Sequence, residues 1–429
     1  MKRTALAVAG LLTATLALTA CGGSGGGGAA AGPTGTGPIK IWYSNNAQEV
    51  AWGKQAVAAW NTAHADQKIT AEEVPAGKSS EEVIGAAITA GTEPCLIYNT
   101  SPAAVPQFQK QGGLVDLNSF ADGASYVDTR TGDLAKQYQS ADGHYYQMPW
   151  KSNPVMIFFN KKIFAKAGIS ITAPALATYA DFLATSKKIV SSKAAKYAIF
   201  PSPASQFYQS WFDFYPLYAA ETGGKQLVVD KKSSFNSPEG QAVAAFWRQL
   251  YAQKLAGTET YNGDAFADGV AAMAVVGPWA IANYKGKVDW GVVPVPTSKG
   301  LTADKVHTFS DAKNAAMYAS CQNRGTAWEF LKFSTSKDQD SQLLTLTGQM
   351  PLRKDVATVY SDYLAKNPGY KLFADQAART VEVPNVANSV QIWQKFRDAW
   401  SSSVIFGRTD PKTALPAAAT EIDSLAGQS

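Results

Sequence analysis

Asp142-Gly143-His144-Tyr145-Tyr146-Gln147-Met148-Pro149-Trp150-Lys151-Ser152-Asn153-Pro154 interrupts an otherwise regular chain. Each proline drives the residue before it out of helical geometry, so the stretch reads as an extended crossing strand. Before it, strands and helices alternate. Ile39–Tyr43 reads as a strand, and Glu49–His64 as a helix with Val50, Val57 and Trp60 on one side. Lys68–Val74, Ser80–Ala90, Cys95–Asn99 and Val105–Gln111 continue as strand, helix, strand and helix. This order predicts an α/β fold with a mostly parallel sheet.

After the interruption the rhythm resumes. Val155–Asn160 reads as a strand, and Lys161–Gly168 as a short helix closed by glycine. Helical spacing follows over Thr178–Ser192 and Ser205–Gly223. Ser237-Pro238-Glu239 and Asp410-Pro411-Lys412 each open a helix with a capping side chain followed by proline. The chain has 429 residues, a length that favours two domains at roughly 150 residues each. With 46% hydrophobic and 17% charged residues it is neither disordered nor of low complexity. Net charge is +5, and no Lys/Arg run exceeds two residues, which argues against nucleic acid as a partner.

Lys2, Arg3 and the uncharged stretch Ala5–Ala20 have the layout of a secretory signal over residues 1–20. Leu18-Thr19-Ala20-Cys21 resembles the lipobox of bacterial lipoproteins, which implies a lipid anchor on Cys21 and a place on the outer face of a bacterial membrane. Residues 21–37 form a Gly-rich tether with a reach of roughly 20–24 Å. Its Gly-x-Ser-x-Gly and Gly-x-Gly-x-x-Gly matches neither follow a strand nor open a helix, the context their chemistry requires. Cys95 and Cys321 remain, as a disulfide or as two buried thiols.

Gly143–Trp150 followed by Phe159-Asn160-Lys161-Lys162-Ile163-Phe164-Ala165-Lys166-Ala167-Gly168-Ile169 resembles a signature of the maltose-binding-protein-like family, the extracellular sugar-binding lipoproteins of ABC importers. Further blocks occur in family order: Gly91-Thr92-Glu93-Pro94, Ala271–Trp279, Ala327–Phe333, Gly348–Arg353 and Gly407–Pro411. The family usually has aspartate after the first of these, where Cys95 stands here. The resemblance implies a two-lobed type II (Venus-flytrap) fold with three crossings, near Met148–Pro154, His307–Asp311 and Gly348–Arg353. One lobe is expected from 38–148 plus 311–348, the other from 154–307 plus 353–429. It also sets the strand Cys95–Asn99 antiparallel to Asn314–Ser320, bringing Cys95 to Cys321 and favouring a disulfide.

The resemblance further implies a monomer that captures a ligand by hinge closure and delivers it to ABC permease subunits, with no cofactor. A sugar clamp needs aromatic faces for pyranose rings and planar polar groups for hydroxyls. Trp279, at a strand tip after Gly277-Pro278, is the leading platform. The family also places a binding aromatic at Trp211, and Asp213 beside it is either a hydroxyl acceptor or a surface carboxylate. Asn45 and Asn46 end the first strand, where one of them bonds hydroxyls or caps the helix. Glu49 matches a family position that often contacts sugar, and Asn99 and Ser101 end the third strand. Trp150, Ser152 and Asn153 lie on the hinge. Asp311 and Arg353, at the other crossings, contact ligand or form structural salt bridges. Trp52, Trp60, Trp247, Trp328, Trp393 and Trp400 read as helix core.

A secreted glycoside hydrolase would need two carboxylates at a set separation, and nothing singles out a pair. His64, His144 and His307 show no metal-ligand spacing. A same-fold receptor for a peptide, polyamine, iron chelate or glycerol phosphate is the other alternative. Cleft edges rich in Asn, Ser, Trp and Tyr favour a neutral oligosaccharide, bound without catalysis.

Overall fold

The computed structural model describes residues 32–428 except 45, 78 and 202, so the signal segment, Cys21, the first part of the tether and Asn45 lie outside the described residues. The first sheet contains β1 (Ile39–Tyr43), β2 (Ile69–Glu73), β3 (Leu96–Thr100), β4 (Met148–Lys151) and β12 (Lys313–Met317), ordered β2-β1-β3-β12-β4. The second contains β5 (Met156–Asn160), β6 (Tyr197–Ile199), β9 (Ala271–Val276) and β10 (Trp290–Val293), ordered β10-β5-β9-β6. A hairpin of β7 (Val228–Val229) and β8 (Lys232–Ser233) stands apart, and β11 (Thr308–Phe309) pairs with β13 (Thr380–Val381).

The alternation of elements predicts a mostly parallel sheet, but both main sheets are mixed. β1 runs parallel to β2 and β3, while β12 is antiparallel to both β3 and β4. The reason is topological: β12 returns from the second sheet and inserts between strands already laid down. Leu96 pairs with Met317, and Cys95 and Cys321, flanking that pair, are joined as a disulfide.

Local chemistry starts the helices where the sequence indicates. Thr178, Ser237 and Asp410 each accept a hydrogen bond from a backbone N–H in the following first turn, two of them with proline next in line. Each main sheet has its own apolar core. Trp52, Trp60, Tyr98, Trp150 and Trp328 pack around the first, and Tyr215, Tyr218, Trp247, Trp393 and Trp400 around the second. The six tryptophans read as helix core are all buried. Between the sheets the chain passes three times, and the passing segments bond one another: Ser152 N to Met350 O, Val155 N to Phe309 O, and Leu352 N to Trp150 O.

Candidate functional site

A cavity of about 380 Å3 opens beside the second sheet, lined by Phe200, Tyr208, Gln209, Phe212, Tyr261, Asp264, Phe266, Trp279, Tyr284 and the end of β9. Trp279 lies half-buried on its wall, edge-on to Phe212 at 6.0 Å. The indole can fold back over the strand because residue 277 is glycine: a Cβ there would sit 1.9 Å from Trp279 Cζ3.

Burial raises the Tyr208 phenol, and the negative charge of Glu81, on the helix Ser80–Ala90, raises it further. Lys313 and Asp311 pair at 2.9 Å, and both charges also act on the Tyr208 phenol. Burial works against the Lys313 ammonium, but Asp311 outweighs it and raises the group. Behind them a polar floor is closed on itself. Lys151 Nζ donates to Glu49 Oε1 at 2.6 Å and to Asn99 Oδ1 at 3.0 Å, and Gln349 donates to the same Glu49 oxygen.

The residues singled out by sequence divide accordingly. Trp279 reaches the cavity. Asp311 does not line the cavity and is held by Lys313 at 2.9 Å. Asn99 is half-buried in the left-handed region at φ 66°, where its carboxamide accepts from Lys151. Glu49 is buried and paired with Lys151, a floor residue rather than a free acceptor. Asn46 caps the first helix, its Oδ1 accepting from Gln48 N at 3.0 Å and Glu49 N at 3.2 Å.

Several others sit away from the cavity in this structure. Trp150 is 0% exposed between Trp52 and Tyr98, because all four residues of β4 are covered on both faces. Ser152 bonds Ser310 at 2.8 Å, and Asn153 bonds Asp311 O at 3.2 Å, so both tie the crossings together. Ser101 is buried before a short 3-10 turn. Trp211 is buried edge-on to Trp393, with Lys313 5.6 Å from its ring centre. Asp213 is fully buried rather than a surface carboxylate, accepting from Trp400 Nε1 at 2.8 Å and Gln209 Nε2 at 2.7 Å. Arg353 forms the structural ion pair, 2.8 Å from Asp340, which Arg130 also grips.

Sequence reasoning passed over Tyr208, Gln209, Phe212, Tyr261 and Asp264. The run from Tyr208 to Tyr218 reads as one helix, but Gln209–Phe212 is a 3-10 turn and the α-helix begins at Phe214. That break turns Tyr208 and Phe212 toward the cavity. Asp213, an N-cap residue type with Pro216 three positions on, is the signal for it.

Residues 55–372 match the family model described as bacterial extracellular solute-binding protein. The chain is 23% identical over 327 residues to a maltotriose-binding protein of Pyrococcus abyssi, covering 75% of this chain and 68% of that one. It is 25% identical over 372 residues to a diacetylchitobiose-binding protein of Streptomyces coelicolor, covering 82% of each. Its fold is similar to that of a cyclic α-maltosyl-1,6-maltose binding protein from Arthrobacter globiformis, with a TM-score of 0.78 at 21% identity, over 92% of this chain and 100% of that one. Two lobes joined by three crossings are thus the type II binding-protein fold, and family members bind solutes outside the cytoplasm rather than catalyse reactions on them. The chain belongs to the bacterial extracellular solute-binding protein family.

Proposed function

We propose that this protein is the receptor of an ABC importer, binding an oligosaccharide between its lobes and passing it to the permease unaltered. The observation that carries the reading is an open cavity walled by the rings of Trp279, Phe212 and Tyr208 and edged by Gln209 and Asp264, with Glu81, Asp311 and Lys313 within electrostatic reach of Tyr208. Such a pairing of π faces with planar hydrogen-bonding groups suits a pyranose ring. The sugars named for the three relatives point the same way. Micromolar capture needs about −8 kcal/mol, within reach of stacked rings and several hydrogen bonds.

In this reading the lobes are 38–148 plus 311–348 and 154–307 plus 353–429, and ligand draws them together about the laterally bonded crossings. Residues 1–20 are a signal peptide, Cys21 carries lipid, and 21–37 tether a monomeric receptor to the outer face of the membrane. Trp279 and Asp311 are the sequence-selected residues offered as ligand contacts, with Glu49 and Asn99 positioning the floor.

Titrating the protein lacking residues 1–37 with malto-, cello- and chito-oligosaccharides, read by tryptophan fluorescence over hours, tests this. A saturable, steady change is the expected result. A signal that decays while reducing ends appear replaces the receptor with a glycoside hydrolase. Silence across the panel shifts the assignment to a non-sugar solute.

A further inference from the structure

Apart from the crossings, the two lobes touch along a seam with a carboxyl group at its centre. Glu382 is 2% exposed there. From one lobe, Gln137 Oε1 accepts from Glu382 N at 2.8 Å, and Tyr138 Oη lies 3.2 Å from Glu382 Oε2. From the other, Tyr215 Oη and Gln226 Nε2 donate to the Glu382 carbonyl at 2.7 and 3.1 Å. Val383 N donates to Glu382 Oε1 at 2.7 Å.

No cation is left over for this carboxyl. Lys313 is paired with Asp311 at 2.9 Å and Lys151 with Glu49 at 2.6 Å, and Glu382 forms no ion pair among the described residues. An ionised carboxylate buried without a counter-charge is costly, and a proton removes that cost. Burial accordingly pushes the group up to about 8, against the pull of Val383 N–H, Lys313 and Tyr138, with Asp311 adding to the rise. The other titratable groups facing it are the phenols of Tyr138 and Tyr215, which burial holds far above their usual range and therefore neutral.

The proton also supplies a donor. A carboxylate only accepts hydrogen bonds, whereas a carboxylic acid gives one as well. Protonated Oε2 can donate to Tyr138 Oη, which frees the phenol's own proton for Ser310, its other side-chain partner. Ser310 in turn bonds Ser152 at 2.8 Å. One chain of hydrogen bonds then joins Glu382 on one lobe, Tyr138 on the other, and two of the three crossings.

We propose that Glu382 is a proton-operated latch: its protonated carboxyl holds the seam shut, and its ionisation lets go of Tyr138 and allows the lobes to part there. In a parted seam water reaches the carboxyl, which then titrates near its ordinary 4.5 rather than about 8. The latch is therefore at full strength below 4.5 and weakens by up to about tenfold for each pH unit until about 8. Lobe movement is thereby tied to the pH outside the cytoplasm, whichever solute the cavity takes.

The test is a distance across the seam in the ligand-free protein. Spin labels are placed on Lys136→Cys and Lys225→Cys, exposed positions on the two lobes that border one cavity beside the seam. Cys21→Ser keeps labels off the remaining thiol, since Cys95 and Cys321 are bonded to each other. Pulsed electron resonance near pH 5 should give one short distance, and near pH 9 a longer one, with circular dichroism unchanged. Glu382→Gln, which is neutral at every pH and can donate to Tyr138 as the acid does, should keep the short distance near pH 9. Equal wild-type distances at the two pH values overturn the latch, and so does a Glu382→Gln protein that responds to pH as the wild type does. Should that variant not fold, the wild-type infrared spectrum decides, because the lack of a protonated-carboxyl band at pH 7 overturns it equally.

Discussion

Trp279 holds its ring over the cavity only as long as residue 277 lacks a Cβ. Gly277→Ala would place a methyl 1.9 Å from Cζ3, so the indole must leave its position. Losing one stacked ring costs on the order of 1 kcal/mol, and oligosaccharide affinity should fall about fivefold, measured by calorimetry. Unchanged affinity would show that the indole does not contact the ligand. Asp213 presents the opposite case, a polar residue whose whole role is internal. Asp213→Ala leaves the Trp400 and Gln209 donors buried without an acceptor, and should destabilise the protein by about 3 kcal/mol in urea unfolding. Trp279 was legible because Gly-Pro ends a strand in a local and recognisable way. Trp150 was not, because whether a hinge strand is covered on both faces depends on residues such as Trp52 and Tyr98, far away in sequence.

At the scale of elements, caps and strands were legible and neighbours were not. Ser237 and Asp410 start their helices by chemistry contained within four residues. The insertion of β12 between β3 and β4 involves partners more than 160 residues away, and no periodicity within either strand records it. That insertion came from family resemblance, and it makes the disulfide testable. Cys95 and Cys321 lie 226 residues apart, so their bond closes a long loop in the unfolded chain. The chain-entropy account allows up to about 5 kcal/mol of stabilisation, with less commonly realised. Replacing both by alanine should lower the urea midpoint clearly while leaving ligand affinity within about twofold, because the bond is remote from the cavity. An unchanged midpoint would mean that β3 and β12 hold the sheet without it.

Across the whole molecule, the two lobes also meet in a seam beside the crossings. Gln137 donates to Thr380 O at 3.1 Å and accepts from Glu382 N at 2.8 Å, while Asn385 donates to Gln139 O at 2.8 Å. Glu382 is buried in this seam, where its carboxyl accepts from Tyr138 Oη at 3.2 Å and Val383 N at 2.7 Å. Burial pushes it from the ordinary 4.5 up to about 8, against the pull of Val383 N–H and Lys313, with Asp311 adding to the rise. The Tyr215 phenol faces it as well. Burial likewise pushes Asp213 from 3.8 to about 6. A carboxyl that keeps its proton longer when folded contributes stability that is complete below its unfolded value. That stability is lost as pH rises through the folded one, at about 1.4 kcal/mol per pH unit per group within the window. Both groups therefore make the protein less stable as pH climbs from 4.5 to 6, and Glu382 alone continues the decline to 8. The urea midpoint should be higher at pH 5 than at pH 8. Glu382→Gln, neutral throughout, should flatten the curve between pH 6 and 8 while leaving the Asp213 portion below it. A wild-type midpoint that does not fall between pH 6 and 8 would mean that Glu382 ionises in the seam without cost, with Lys313 as its counter-charge. The wild-type curve alone decides this, because any loss of the Tyr138 contact in the variant shifts its midpoint equally at every pH.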